Sequence, residues 1–282
     1  DLHRRRHSFP TRRSSDLIGA NATTYICTGL TDGTSYTYSV IAVNAKGNSA
    51  SATSSALITQ GAASAPTTIS ATTGDGQATI TFSGAAANGS TITGYTVKAY
   101  DNTGNEVTGV SCSVTTSNAN GSCIVTGLTN GSSYTFKAIT NSTANSASVT
   151  SSPSIPTAAI TPAKAPDAPT GLQVTPGTGK VTVSWTEPSS NGSVIASYTV
   201  QAYDASGSAV SGATCTATAP ATTCDVSTNL AAGTNYTFKV TATSAAGTST
   251  PSSASSSAAI NAAPSAPLNV VATAANASAS IS

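Results

Sequence analysis

The stretch TNLAAGTNYTFKVTATSAAGTS, residues 228–249, decides how the rest of the chain is read. It occurs in two further versions, TGLTDGTSYTYSVIAVNAKGNS at 28–49 and TGLTNGSSYTFKAITNSTANS at 126–146. In each, Leu precedes Tyr by six residues: Leu30 and Tyr36, Leu128 and Tyr134, Leu230 and Tyr236. The tyrosines recur after 98 and 102 residues. Ala-Pro recurs at Pro66, Pro169 and Pro267, after 103 and 98 residues. A third pair, Phe82 with Tyr95 and Trp185 with Tyr198, keeps its aromatics thirteen positions apart. Three independent markers on one period of about a hundred residues define an internal repeat.

Within each repeat the apolar period is two. Tyr36, Tyr38, Val40 and Ala42 alternate with Thr37, Ser39 and Ile41, and Val181, Val183 and Trp185 alternate with Thr182 and Ser184. Tyr95, Val97 and Ala99 repeat the pattern. Alternation built from Val, Thr, Tyr and Phe predicts half-buried antiparallel strands. The separators are turn chemistry: Gly74-Asp75-Gly76, Asn88-Gly89, Asn130-Gly131, Gly177-Thr178-Gly179 and Asn191-Gly192. Gly and Asn supply the left-handed positions that tight connections require. About seven short strands per hundred residues, with no helical stretch, predict an all-β two-sheet sandwich.

These residues carry a resemblance. Ala-Pro, an aromatic on the second strand, Tyr on the third, Leu-x-x-Gly-x-x-Tyr-x-Phe and a closing Gly-x-Ser are similar to the fibronectin type III domain. The resemblance implies tandem immunoglobulin-like sandwiches. It makes Leu30-Gly33-Tyr36, Leu128-Gly131-Tyr134 and Leu230-Gly233-Tyr236 tyrosine corners, with each phenol bonded back to an upstream backbone carbonyl. Tyr38, Phe136 and Phe238 would fill the next core position. The match is strongest in the third copy. In the second, Phe82 stands for Trp and Asn141-Ser142-Thr143 breaks the usual close. Residues 63–164 and 165–263 are expected to be complete domains. Residues 18–62 would hold the last three strands of one more, and 264–282 the opening strands of another. Pro162, Pro166 and Pro169 mark one junction, Pro264 and Pro267 the next. Short Pro-containing junctions act as semi-rigid spacers, which predicts a rod.

Charged residues make up 7% of the chain, against about 25% in ordinary globular domains. Arg4, Arg5, Arg6, Arg12, Arg13, His3 and His7 all lie in the first seventeen residues. Residues 18–282 therefore hold no Arg and no His, and six Lys against eight Asp and Glu. That string, DLHRRRHSFPTRRSSDL, resembles the conceptual translation of a short-read sequencing adapter, the other reading being a basic arm. On the adapter reading it is excluded from the fold, and the start of the native chain lies elsewhere. No run reaches the ~20 apolar residues of a membrane-spanning helix. Without a basic patch, nucleic acid is not an expected partner.

Five cysteines stand at 27, 112, 123, 215 and 224. None has C-x-x-C spacing and no His is at hand, which argues against zinc. In the fold implied by the resemblance, Cys112 with Cys123 and Cys215 with Cys224 bracket the segment where a strand crosses between sheets. They are read as disulfides, buried thiols being the alternative. Cys27 would pair upstream. Oxidised pairs imply export, to the extracellular medium or a cell surface.

No residue is assigned to catalysis. A Ser-His dyad is impossible without His, while Asp101, Glu106 and Asp204 read as surface carboxylates. Asp75 and Asp101 are too isolated for calcium, and no phosphate loop or dinucleotide fingerprint calls for a cofactor. Tyr95, Tyr134, Phe136, Trp185, Tyr198, Tyr236 and Phe238 fall on inward parity. Tyr100 and Tyr203, in matching KAYD and QAYD segments, fall on the opposite parity. They read as cross-strand tyrosines on the solvent face, or as a shallow contact patch for sugar or protein. Sequons at Asn88, Asn191 and Asn235 are of the kind chance supplies in so Ser/Thr-rich a chain. The expected function is a non-catalytic spacer array in a secreted or surface protein of bacterial type. Two alternatives are an accessory region of a polysaccharide-degrading enzyme and adhesin repeats that bind protein or polysaccharide directly.

Overall fold

The computed structural model describes residues 2–7, 15–19, 22–262, 264–266 and 268–282. Arg12, Arg13 and the marker Pro267 lie outside the described residues. The chain divides into two compact units, Asp1–Pro162 and Ala163–Ser282. Every named element among the described residues is a strand.

The complete sandwich of the first unit contains β8 (Thr68–Gly74), β9 (Gln77–Ser83), β10 (Thr91–Tyr100), β11 (Glu106–Thr115), β12 (Gly121–Thr126), β13 (Thr135–Ala144) and β14 (Ala147–Thr150). They form sheets in the orders β12-β9-β8 and β11-β10-β13-β14, antiparallel throughout. The second unit repeats this with β15 (Thr170–Gly177), β16 (Lys180–Thr186), β17 (Ile195–Tyr203), β18 (Ala209–Thr218), β19 (Thr223–Val226), β20 (Asn235–Ser244), β21 (Gly247–Thr248) and β22 (Ala258–Ala259). Its sheets are β15-β16-β19 and β18-β17-β20-β21, with β22 also on β20.

The period-two pattern puts one face of each sheet inside. Ile80, Tyr95, Val97, Val125 and Phe136 are fully buried in the first sandwich, and Val181, Val183, Tyr198, Phe238 and Val240 in the second. Each such side chain contributes about 1.5–3 kcal/mol on burial. Phe82 meets Tyr95 at 4.5 Å between ring centroids and Trp185 meets Tyr198 at 5.1 Å, so the thirteen-residue spacing marks a contact across the core. The two tyrosines differ at their polar ends. Tyr95 donates to the Asn118 carbonyl at 2.9 Å, whereas the buried Tyr198 hydroxyl has no hydrogen-bond partner among the described residues. Burial pushes both phenols above the usual tyrosine pKa.

Past β14 and β21 the last segment follows the central strand by a rule that ordinary strand alternation does not predict. Ser151, Ser154 and Thr157, and likewise Ser249, Ser252 and Ser255, stand three residues apart. Ser252 N–H donates to the Val240 carbonyl at 2.9 Å, and Val240 N–H donates to Ser252 Oγ at 3.0 Å. Ser252 Oγ in turn donates to the Ser253 carbonyl at 2.8 Å. Ser249 does the same with Ala242, Ser255 with Phe238, Ser151 with Thr140 and Ser154 with Ala138. Three residues of the outer segment thus satisfy two of the central strand, and a hydroxyl stands in for the missing carbonyl.

Residues 22–62 hold β3 (Ser35–Tyr36), β4 (Tyr38–Asn44), β5 (Gly47–Asn48), β6 (Ala52–Thr53) and β7 (Leu57–Ile58). Beside β4, in the place that β10 takes beside β13, lies β1 (Leu2–His7), itself paired with β2 (Ser15–Ile18). Leu2–His7 and Ser15–Leu17, the described parts of the string expected to stay outside the fold, are therefore paired in it. An open strand edge recruits whatever extended chain is within reach. Tyr38, expected in the core, is only half-buried: among the described residues this repeat has no counterpart of the three-stranded β12-β9-β8 sheet. It lines an open apolar hollow of about 340 Å³ with Tyr25, Cys27, Leu30, Val40 and Leu57. At the other end β23 (Ala272–Ala275) and β24 (Ser278–Ile281) form a hairpin that leaves Leu268 and Ile281 exposed.

Two stability tests follow. Ser252→Ala strands the Val240 N–H in the core and should cost about 1–3 kcal/mol in denaturant unfolding, while Ser253→Ala, exposed next to it, should stay within about 0.5. Tyr95→Phe should lose about 1 kcal/mol with the Asn118 bond, whereas Tyr198→Phe should be neutral or stabilising. Equal losses for the two phenylalanines would refute the assigned difference.

Candidate functional site: the outer faces that carry Tyr100 and Tyr203

Both tyrosines end the third strand of their sandwich, and the same local structure follows each. Asp101 Oδ1 accepts from Thr103 N–H at 2.9 Å, Thr103 Oγ1 at 2.7 Å and Asn105 N–H at 2.9 Å. Asp204 Oδ1 accepts from Ser206 N–H at 2.9 Å, Ser206 Oγ at 2.6 Å and Ser208 N–H at 2.9 Å. The Thr103 and Ser206 hydroxyls first, then the Asn105 and Ser208 amides, hold these carboxyls below the usual aspartate range. A bulge comes next: Ala99 faces residues 107–110 and Ala202 faces 210–213, turned by the left-handed Gly109 and Gly212. The underlying motif, D-x-[ST]-G-x-x-V-[ST]-G-x-x-C, runs from Asp101 to Cys112 and from Asp204 to Cys215. Continuing the KAYD/QAYD alignment by eleven residues makes it visible in the sequence.

As parity requires, Tyr100 and Tyr203 point outward and are half-buried. Each ring carries a lysine from the neighbouring central strand: Lys137 Nζ stands 4.5 Å from the Tyr100 centroid, and Lys239 Nζ 4.8 Å from that of Tyr203. A cation over an exposed ring is worth about 0.5–1 kcal/mol. It also takes up a ring face that a sugar would need for stacking. Beside Tyr100, Lys98 pairs with Glu106 at 2.9 Å, and the bond to that carboxylate raises the Lys98 pKa. In the second unit Gln201 replaces Lys98 and donates to the Val210 carbonyl at 2.8 Å. The carboxylates weighed for chemistry are thus engaged in turns and pairs. Among the described residues no three His, Cys, Asp or Glu gather as metal ligands.

Cys112 is bonded to Cys123 and Cys215 to Cys224, each pair with its Cα atoms 6.1 Å apart. Each bridge ties the outer strand of the four-stranded sheet (β11, β18) to the outer strand of the three-stranded sheet (β12, β19). Cys27 has a different place. Counted back from the corner leucine it matches buried Val125, and Tyr25 matches Cys123. Corner bonds form at Tyr36, Tyr134 and Tyr236. The phenol oxygen accepts from the backbone N–H five residues upstream, Thr31 at 2.9 Å, Thr129 at 3.1 Å and Ala231 at 3.0 Å. That N–H pulls the Tyr36 phenol below its ordinary pKa.

The sequence model of the fibronectin type III domain matches residues 64–157 and 167–258, the two complete sandwiches. Among solved structures, the FN1–FN3 domains of chicken CNTN1 are 18% identical, cover 92% of this chain and 88% of that one, and superpose with a TM-score of 0.39. Domains A168-A170 from titin are 21% identical, cover 80% and 74%, and superpose with a TM-score of 0.44. A comparison with curated proteins finds no match. With two copies matched over most of its length, the chain belongs to the fibronectin type III domain family.

Proposed function

We propose that this chain is a stretch of a non-catalytic spacer array, holding other modules at a distance in a secreted or surface-exposed protein. The observation that carries this reading is where the polar side chains are spent. Asp101 and Asp204 close turns, Lys137 and Lys239 cap tyrosines, and the serines of the last segment complete a sheet. None of these groups converges on a cavity, and across residues 18–282 the charge is too sparse to attract a polyanion. The two bridges add support for export, since such pairs persist in oxidising compartments. An adhesive reading has one observation in its favour: tyrosine and lysine recur at the same register in both sandwiches. Fold by itself decides neither.

Retention on chitin, cellulose and peptidoglycan separates the two readings. A spacer passes through all three columns. Retention that Tyr203→Ala abolishes would transfer the function to the tyrosine face. Peptide mapping after alkylation should find Cys112, Cys123, Cys215 and Cys224 blocked, and reduction should cost each sandwich about 2–3 kcal/mol for a closed loop of about ten residues. Free thiols at these positions in protein from its native host would overturn the exported assignment.

A further inference from the structure

The loop before β10 does more than turn the chain. Asn88, in the left-handed region at φ 49°, accepts Gly61 N–H on its carbonyl at 3.0 Å and donates Nδ2 to the Ala62 carbonyl at 3.0 Å. One residue earlier, the Gln60 side chain accepts Asn145 N–H at 2.7 Å from the turn after β13. One residue earlier still, the Thr59 carbonyl accepts Gly33 N–H at 2.9 Å, in the tyrosine corner of residues 22–62. Every residue from 59 to 62 is therefore bonded to one repeat or the other, with no slack between them. The glycines are the ones the contact demands. A Cβ on Gly89 would lie 2.1 Å from the Thr59 carbonyl oxygen, and one on Gly33 would lie 3.2 Å from the Asn88 backbone.

The bonding recurs one period later, each half within its own unit. Gly131 N–H donates to the Pro162 carbonyl at 2.9 Å. Asn191, at φ 50°, accepts Lys164 N–H at 3.2 Å and donates Nδ2 to the Ala165 carbonyl at 3.0 Å. Both asparagines open an Asn-Gly-Ser triplet.

We infer that Asn88-Gly89 is the socket of an interdomain joint, in which the strand-end Thr59–Ala62 of the preceding repeat is gripped between this loop and the Gly33 corner. The partner that fits the socket is another repeat of the same kind, with a glycine at the fourth position of Leu-x-x-Gly-x-x-Tyr. Asn of the sequon is then structural: its Nδ2 is engaged, and a glycan there would take away the grip on Ala62. The joint deepens the spacer reading, on which its purpose rests, by supplying the stiffness a spacer needs.

The test uses the full chain and backbone NMR. Wild type should show the Gly61 amide protected from exchange at least about tenfold over a free linker amide, and residues 35–58 and 68–150 tumbling with one correlation time. Gly89→Ala should remove that protection and split the correlation times. Gly104→Ala, a left-handed glycine with nothing within 4 Å of its Cβ, should change neither, which separates the contact from backbone strain. Should Gly89→Ala fail to fold, as read from the Tyr95 amide, Asn88→Asp carries the test by removing the Nδ2 donor alone, with partial loss of protection expected. Two correlation times in wild type, or unchanged Gly61 protection in the variants, would overturn the joint. A loose array that binds no glycan would still be a spacer, and a stiff array that binds one would still have the joint.

Discussion

The central strands β13 and β20 have two edges each, and both edges must be satisfied inside a packed protein. A buried amide left unpaired costs about as much as several surface contacts return. On one side the answer is an ordinary antiparallel ladder with β10 or β17. On the other it is a mixed ladder, four residues of β14 or two of β21, continued by hydroxyls at every third position. The tyrosine that opens each central strand then turns its phenol back onto the corner loop. This strand also places the facing aromatics Phe82 and Trp185 and the outward Lys137 and Lys239.

What could be read from the sequence was what depends on parity. Alternation assigned Tyr95, Tyr134, Phe136, Trp185, Tyr198, Tyr236 and Phe238 to the interior, and all of them are buried. Tyr100 and Tyr203 come out on the other face for the same reason. The serine ladder was hidden because its period is three, in a segment where Ser and Thr are so common that spacing does not stand out. Tyr38 was misplaced because parity names a face without saying whether anything covers it. The direction of the corner hydrogen bond could not be read either, since a phenol both donates and accepts. By its register Cys27 stands at the core position of Val125, two residues from the bridging Cys123 of the next repeat.

The lack of charge explains why the face around Tyr100 and Tyr203 is built from local turns. In a chain that is 7% charged, Asp101 and Asp204 find hydroxyl and amide donors within their own loops. Asp101 and Asp204 take three bonds each from residues at most four positions away, and their lowered pKa values record local turns. A carboxylate needed for acid–base work shows the reverse, a value raised toward neutrality by burial or a like charge.

A sandwich has two open sides, and strand edges on either are liabilities. Charged edge residues are the common protection, and this chain hardly uses them. It closes one side covalently, with Cys112–Cys123 and Cys215–Cys224 joining the outer strands where the chain passes between sheets. It closes the other with the serine hydroxyls of the last segment. At the start of the first sandwich the loop is closed differently again, by a glycine small enough to admit the Thr59 carbonyl and an asparagine bonded to Gly61 and Ala62. Side chains that an isolated domain would leave to solvent are there bonded to the segment that leads into it.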